Sequence, residues 1–145
     1  HLFGFGIGEA ATLTAGTDVV AVDTPLGKTG LATCYDLRFP ELFRAQIDKG
    51  ATAVLLTSGW PSLRIARWNL LAAARACENQ MWVIGCNEVG HHGGHDLGGH
   101  SLIADPCGEV IASAGNAEET LYADIAPSLP SEVRASFPVL PDRRL

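Results

Sequence analysis

The chain has 145 residues, 47% of them hydrophobic and 18% charged, with a formal net charge of −6 and a pI near 5.2. One domain's worth of chain with that apolar fraction buries a real core, which excludes a disordered or fibrous protein. The acidic balance, with no basic cluster beyond Arg143 and Arg144, excludes a nucleic-acid binder, and no apolar run approaches the roughly 18–20 residues of a membrane span.

His1–Gly8 is apolar and glycine-rich without a period and reads as a loop; Glu9 follows, and Gly16 is a turn residue. Asp18–Asp23 is Val-rich and predicts a strand. Pro25–Gly30 has turn composition, and a second strand over Thr29–Cys34 is expected to pair with the first as a hairpin. Helical spacing begins near Pro40, runs over Glu41–Lys49 and ends at Gly50, a C-cap residue. Ala51–Thr57 is a continuous apolar run, as for a strand covered on both faces. Ser58-Gly59-Trp60-Pro61 is a loop, Ser62–Gln80 the longest helix and Met81–Cys86 another buried strand. Asn87–Gly99 reads as a Gly/His loop. His100–Ala104 and Glu109–Ser113 read as strands around an Asp105–Gly108 turn, Thr120–Ile125 as a final strand, and Ser131–Ser136 as a short helix in a Pro-rich tail. Strand and helix alternation followed by hairpins implies an α/β fold with a mixed sheet and helices on one face.

Cys34 sits where a strand stops and a turn begins. A thiol held there lies at the mouth of a sheet, and the helix N-terminus behind it favours the thiolate. The competing reading is a buried cysteine acting as a small hydrophobe. The four cysteines, Cys34, Cys77, Cys86 and Cys107, form no Cys-x-x-Cys pair, a reduced, cytoplasmic pattern. His91, His92, His95 and His100 invite a metal reading, but no carboxylate or cysteine framework accompanies them. Arg38 and Glu41, three apart at a helix start, have the spacing of an ion pair that would fix the elbow, a reading favoured over substrate contact, and Arg75 with Glu78 show the same spacing on the long helix and read the same way. Trp60 follows a strand end on the Cys34 side and is a pocket-wall candidate or a core residue; Asn87, at another strand end, is a further pocket candidate.

CYDLRFPEL, at Cys34–Leu42, resembles the nucleophile motif of the nitrilase superfamily, the carbon–nitrogen hydrolases. The opening HLF, Glu9 with Gly16, TPLGKTGLATCYD, SGW, AARACENQ, GGHSLIADPCGEV and FPVLPDRR match in the same order, covering nearly the whole chain. The resemblance implies an αββα sandwich and a Glu–Lys–Cys triad, with Cys34 as nucleophile, Glu9 as a supporting glutamate and the backbone N–H of Tyr35 in the oxyanion site. It implies no metal and no cofactor, a small amide substrate and a homodimer or higher homo-oligomer joined through the helical face and the tail. The matching catalytic lysine lies just upstream of His1 and the base glutamate further upstream, so residues 1–145 are expected to be the C-terminal portion of one such domain. The CYDLRFPE form and the short SGW loop look more like small-amide hydrolases than nitrilases. A nitrile or N-carbamoyl amine hydrolase, a Cys34–His100 acyltransferase or protease, and a non-catalytic interaction domain remain open.

Overall fold

The computed structural model describes residues 1–4 and 8–144; the part of the opening loop expected over Phe5–Ile7 falls outside them. A mixed six-stranded sheet forms the body, in the order β1 (Ala21–Thr24), β2 (Gly27–Thr33), β3 (Ala53–Ser58), β4 (Trp82–Asn87), β7 (Leu102–Ala104) and β8 (Val110–Ser113). Strand β1 (Ala21–Thr24) pairs antiparallel with β2 (Gly27–Thr33), the expected hairpin, although the turn shrinks to Pro25-Leu26 and β2 begins earlier than its composition suggests. Strands β3 (Ala53–Ser58) and β4 (Trp82–Asn87) continue the sheet in parallel. Parallel neighbours need crossovers, which α1 (Pro40–Asp48) and α2 (Ile65–Asn79) supply. Gly50, at φ 85°, ends the first of these segments, and Gln80, at φ 48°, ends the second.

Three strands running the same way bring their C-terminal ends to one edge of the sheet. Cys34 leaves β2 there, Gly59 and Trp60 leave β3, and Asn87 ends β4. Open α/β sheets bind ligands at that edge because the loops after the strands converge on it.

The helix-facing side of the sheet carries the core: Val54, Leu56 and Val83 pack with Leu37, Phe43, Trp68 and Met81, all at most 1% exposed. Gln46 is buried among them, and its side-chain amide donates to the Leu31 carbonyl at 2.8 Å. The approach is so close that a Cβ on Gly30 would lie 2.4 Å from Gln46 Cδ and would displace that buried amide from its bond to Leu31.

The opposite side is less covered than the sequence suggests. Leu31, Leu55, Ile84 and Ile103 form one row across four strands. Ile103 is buried against Trp82 and the tail, whereas Leu31 is 43% and Leu55 36% exposed. The outer face of the Ala51–Thr57 run is therefore only partly covered, Ala53 buried against Trp82 and Ile103 while Leu55 lies bare. Trp82 fastens the tail by donating its indole N–H to the Ala126 carbonyl at 3.1 Å.

Two further expectations are corrected. The Gly/His segment is not a loop but a hairpin of β5 (Val89–His92) and β6 (His95–Gly98). Gly93 and Gly94, at φ 57° and 78°, supply the two positive-φ positions that a tight hairpin turn requires. Thr120–Ile125 forms no strand, for its backbone pairs with none of the described strands and β8 remains at the sheet edge. Strands β7 (Leu102–Ala104) and β8 (Val110–Ser113) pair as expected, and α3 (Leu129–Ser136) starts two residues early.

Candidate active site

Cys34 has φ 46°, a left-handed backbone that a residue with a Cβ adopts only at a cost. It opens a single-turn 3₁₀ helix, Cys34–Arg38, directly at the end of β2. The turn is held from three sides. The Asp36 carboxylate accepts the Thr33 N–H at 2.9 Å. The Leu37 carbonyl accepts two bonds from the buried Arg75 guanidinium, at 3.1 and 2.9 Å, and Arg75 pairs with Glu78 at 2.9 Å. The Trp60 indole N–H donates to the carbonyl of Cys34 itself at 3.2 Å. An unusual backbone angle fixed this firmly is how a strand-to-helix elbow presents a side chain to solvent.

The thiol faces a cavity of about 740 Å³ lined by Glu9, Tyr35, Arg38, Trp60 and Arg64 among others. Burial is the largest influence on Cys34 and pushes its pKa up from the ordinary thiol value. A backbone hydrogen bond from Gly59 lowers it, the Glu9 charge raises it, the Tyr35 backbone lowers it and Asp36 raises it, for a net upward shift. This corrects the expected thiolate preference: a single 3₁₀ turn does not outweigh desolvation and two carboxylates.

Glu9 stands in a short 3₁₀ turn and accepts the Phe3 N–H at 2.8 Å. Phe3 meets Tyr35 edge to face with ring centres 5.2 Å apart, which ties the first residues to the elbow. Trp60 is both of the things the sequence left open, a core residue at 4% exposure and part of the cavity lining. Asn87 is not a lining residue. It is buried behind the wall, accepting the Trp60 backbone N–H at 2.7 Å and donating to the Gly99 carbonyl at 2.6 Å. Its own N–H donates to Ser101 Oγ at 2.9 Å, so one side chain and its backbone join the loop after β3 to the ends of β4 and β6.

Arg38 and Glu41 make no ion pair. The guanidinium lies over the Trp60 ring, 4.7 Å from its centroid, while Glu41 is exposed in the first turn of α1, where a carboxylate suits the helix N-terminus. The histidines do not converge. His91 Nδ1 meets Asp96 at 2.8 Å and His100 Nδ1 donates to the Gly98 carbonyl at 2.6 Å. His92 and His95 line the same cavity as Cys34, but no group of three potential metal ligands occurs among the described residues. His100 does not line that cavity, which leaves the Cys34–His100 pairing without geometric support.

The sequence reading missed Gly59 and Arg64. Gly59 contributes only a backbone N–H, which leaves no side-chain signal. Arg64 was findable: it falls four residues after Trp60, in the loop that follows a strand of the Cys34 edge.

The family model for carbon-nitrogen hydrolases matches residues 1–135. The chain belongs to the carbon–nitrogen hydrolase family. Within it, the chain is 44% identical to a 2-oxoglutaramate amidase of Paenarthrobacter nicotinovorans, over 99% of this chain and 50% of that protein. It is 36% identical to omega-amidase NIT3 of Saccharomyces cerevisiae, over 99% of this chain and 52% of that one. The crystal structure of Saccharomyces cerevisiae Nit3, a nitrilase-superfamily member, superposes with a TM-score of 0.87, covering 100% of this chain and 53% of that one. A CN-hydrolase superfamily protein of Xanthomonas campestris gives 0.92 at 30% identity, covering 100% of this chain and 57% of that one. The chain thus spans about half the length of these relatives.

Proposed function

We propose that this chain is the nucleophile-bearing part of an amidase that hydrolyses the terminal amide of a small ω-amide to ammonia and a carboxylate. The observation that carries the reading is Cys34 itself, held at positive φ by three sets of hydrogen bonds, with its thiol at a cavity and the Tyr35 N–H beside it.

In this reading Cys34 Sγ attacks the amide carbonyl. Because burial and nearby carboxylates raise its pKa, the sulfur rests as a thiol, and a base must take its proton as the C–S bond forms. The tetrahedral oxyanion is met by the backbone N–H of Tyr35. Collapse breaks the C–N bond, the base returns the proton to the leaving nitrogen, and ammonia departs. Water, deprotonated by the same base, then cleaves the thioester and restores the thiol. Glu9 orients its neighbours rather than carrying protons, in keeping with its bond to the Phe3 N–H.

The base and the lysine that the family resemblance calls for match none of these 145 residues. The chain has two lysines. Lys28 pairs with Asp23 at 2.8 Å at the far end of β2, six residues or roughly 20 Å of extended strand from Cys34. Lys49 caps α1. We therefore assign residues 1–145 to the C-terminal portion of the domain, with the second sheet of an αββα sandwich covering Leu31 and Leu55. The chain spans about half the length of these relatives, which fits one portion of a longer chain without saying which.

The ω-amide preference over deaminated peptide amides, N-carbamoyl amines and nitriles rests on relatives named 2-oxoglutaramate amidase at 44% and 39% identity. A cytoplasmic homo-oligomer belongs to the same proposal, with exposed Leu70 on α2 and Phe137 after α3 as apolar contact points. The test is ammonia release by the full-length protein from those four substrate classes, beside Cys34→Ala. The reading expects Cys34-dependent ammonia from ω-amides foremost. A folded protein that releases none from any class is instead an interaction domain.

A further inference from the structure

The cavity beside Cys34 holds two guanidinium groups in a chain whose net charge is −6. Their situations differ. Arg38 lies over the Trp60 ring, and the Trp60 indole N–H reaches the Cys34 carbonyl, so Arg38 is tied to the elbow. Arg64 is tied only through its backbone. It closes the 3₁₀ turn Ser62–Arg64, its N–H donating to the Pro61 carbonyl at 2.9 Å, and α2 starts at the next residue. Its side chain is half-buried and, among the described residues, makes no hydrogen bond or ion pair.

Five N–H donors that have lost part of their hydration without gaining an acceptor are costly, and an anionic ligand removes that cost. The carboxylates of the cavity do not serve. Glu9 is engaged by the Phe3 N–H, and Glu88 is exposed and outside ion-pair range of Arg64. A planar guanidinium on a fixed turn suits a carboxylate, which it grips with two parallel bonds. The cavity, at about 740 Å³, has room for an extended five-carbon ω-amide lying between the thiol and such an anchor.

We propose that Arg64 is a specificity-determining residue, holding the distal carboxylate of the ω-amide whose amide end meets Cys34. This rests on the ω-amidase reading above, and names the residue that would set its substrate class.

The test uses the full-length protein and two amides of equal length, glutaramate with its free carboxylate and valeramide without one. Wild type is expected to prefer glutaramate. Arg64→Met is expected to lower kcat/KM for glutaramate about 10–100-fold more than for valeramide, mainly through KM, the range for one charge-assisted contact. Arg64→Lys is expected to recover part of the preference, since it keeps the charge but not the fork, and it also decides the matter if Arg64→Met does not fold. Arg38→Met, which removes the contact with Trp60, is expected to depress both substrates together.

An unchanged glutaramate-to-valeramide ratio in a folded Arg64 variant overturns the assignment. So does a carboxylate-selective loss in Arg38→Met without one in Arg64→Met. A wild type that releases ammonia from both amides without preference overturns the anchor and leaves the amidase standing. No ammonia from either amide or any other substrate class removes both.

Discussion

At Cys34 the backbone and the titration pull in different directions. The backbone is committed to display: φ 46°, a 3₁₀ turn behind it, and its own carbonyl held by Trp60. The thiol is not committed to ionise, since burial outweighs the hydrogen bonds from Gly59 and Tyr35. A pKa raised on folding means that the folded state holds this proton more tightly than the unfolded one. The associated stability is complete below the ordinary thiol pKa and is lost as pH rises through the folded value. In the folded protein, iodoacetamide should therefore label Cys34 more slowly at pH 7 than in the urea-unfolded chain, its rate rising only at a higher pH. Peptide mass mapping across pH 7–10 reads this directly; equal inflections for Cys34 in the folded and unfolded protein would contradict it. What the sequence shows at this scale is residue type at a strand end. It does not show the balance of charges, because burial and the Glu9 carboxylate reach the sulfur only through the fold.

At the scale of elements, the edge where β2, β3 and β4 end is stitched together by Asn87. Its side chain joins the Trp60 N–H to the Gly99 carbonyl, and both partners lie where water does not replace it. Asn87→Ala leaves two buried polar groups without partners, at about 1–3 kcal/mol each, so a loss of roughly 2–4 kcal/mol is expected. Urea denaturation of wild type, Asn87→Ala and Asn87→Asp measures it, Asp keeping the acceptor alone and falling between the other two. A loss near zero would mean that the loop after β3 is held without Asn87. The hairpin β1–β2, the helix α1 and the strands flanking Asp105–Gly108 were legible because apolar spacing and turn residues agree there. The β5–β6 hairpin was not, since Val89, Leu97 and the histidines give no clear alternation and the Gly93-Gly94 turn looks like loop composition. Thr120–Ile125 failed for the converse reason: strand composition without a partner gives no strand. Arg38 misled through spacing, because helical intervals show which side chains are neighbours on a helix but not that an aromatic ring from another loop lies closer.

For the whole molecule, composition gave the class, and the ordered series of motifs from HLF to FPVLPDRR gave the family that the match over residues 1–135 bears out. What composition could not give was the one-sided sheet. A run such as ATAVLLT looks the same whether its outer face meets protein or solvent, and here Leu31 and Leu55 lie bare on that face.

The proposed reaction requires that an amide acylate Cys34. The most direct measurement is acid quench of the full-length protein during turnover of glutaramate, followed by digestion and mass spectrometry of the peptide containing Cys34. An acyl mass is expected on Cys34, labile to hydroxylamine and absent when substrate is omitted. Steady ammonia release from a folded protein whose Cys34 peptide stays unmodified, and whose Cys34→Ala variant releases it equally fast, would rule out Cys34 as the nucleophile.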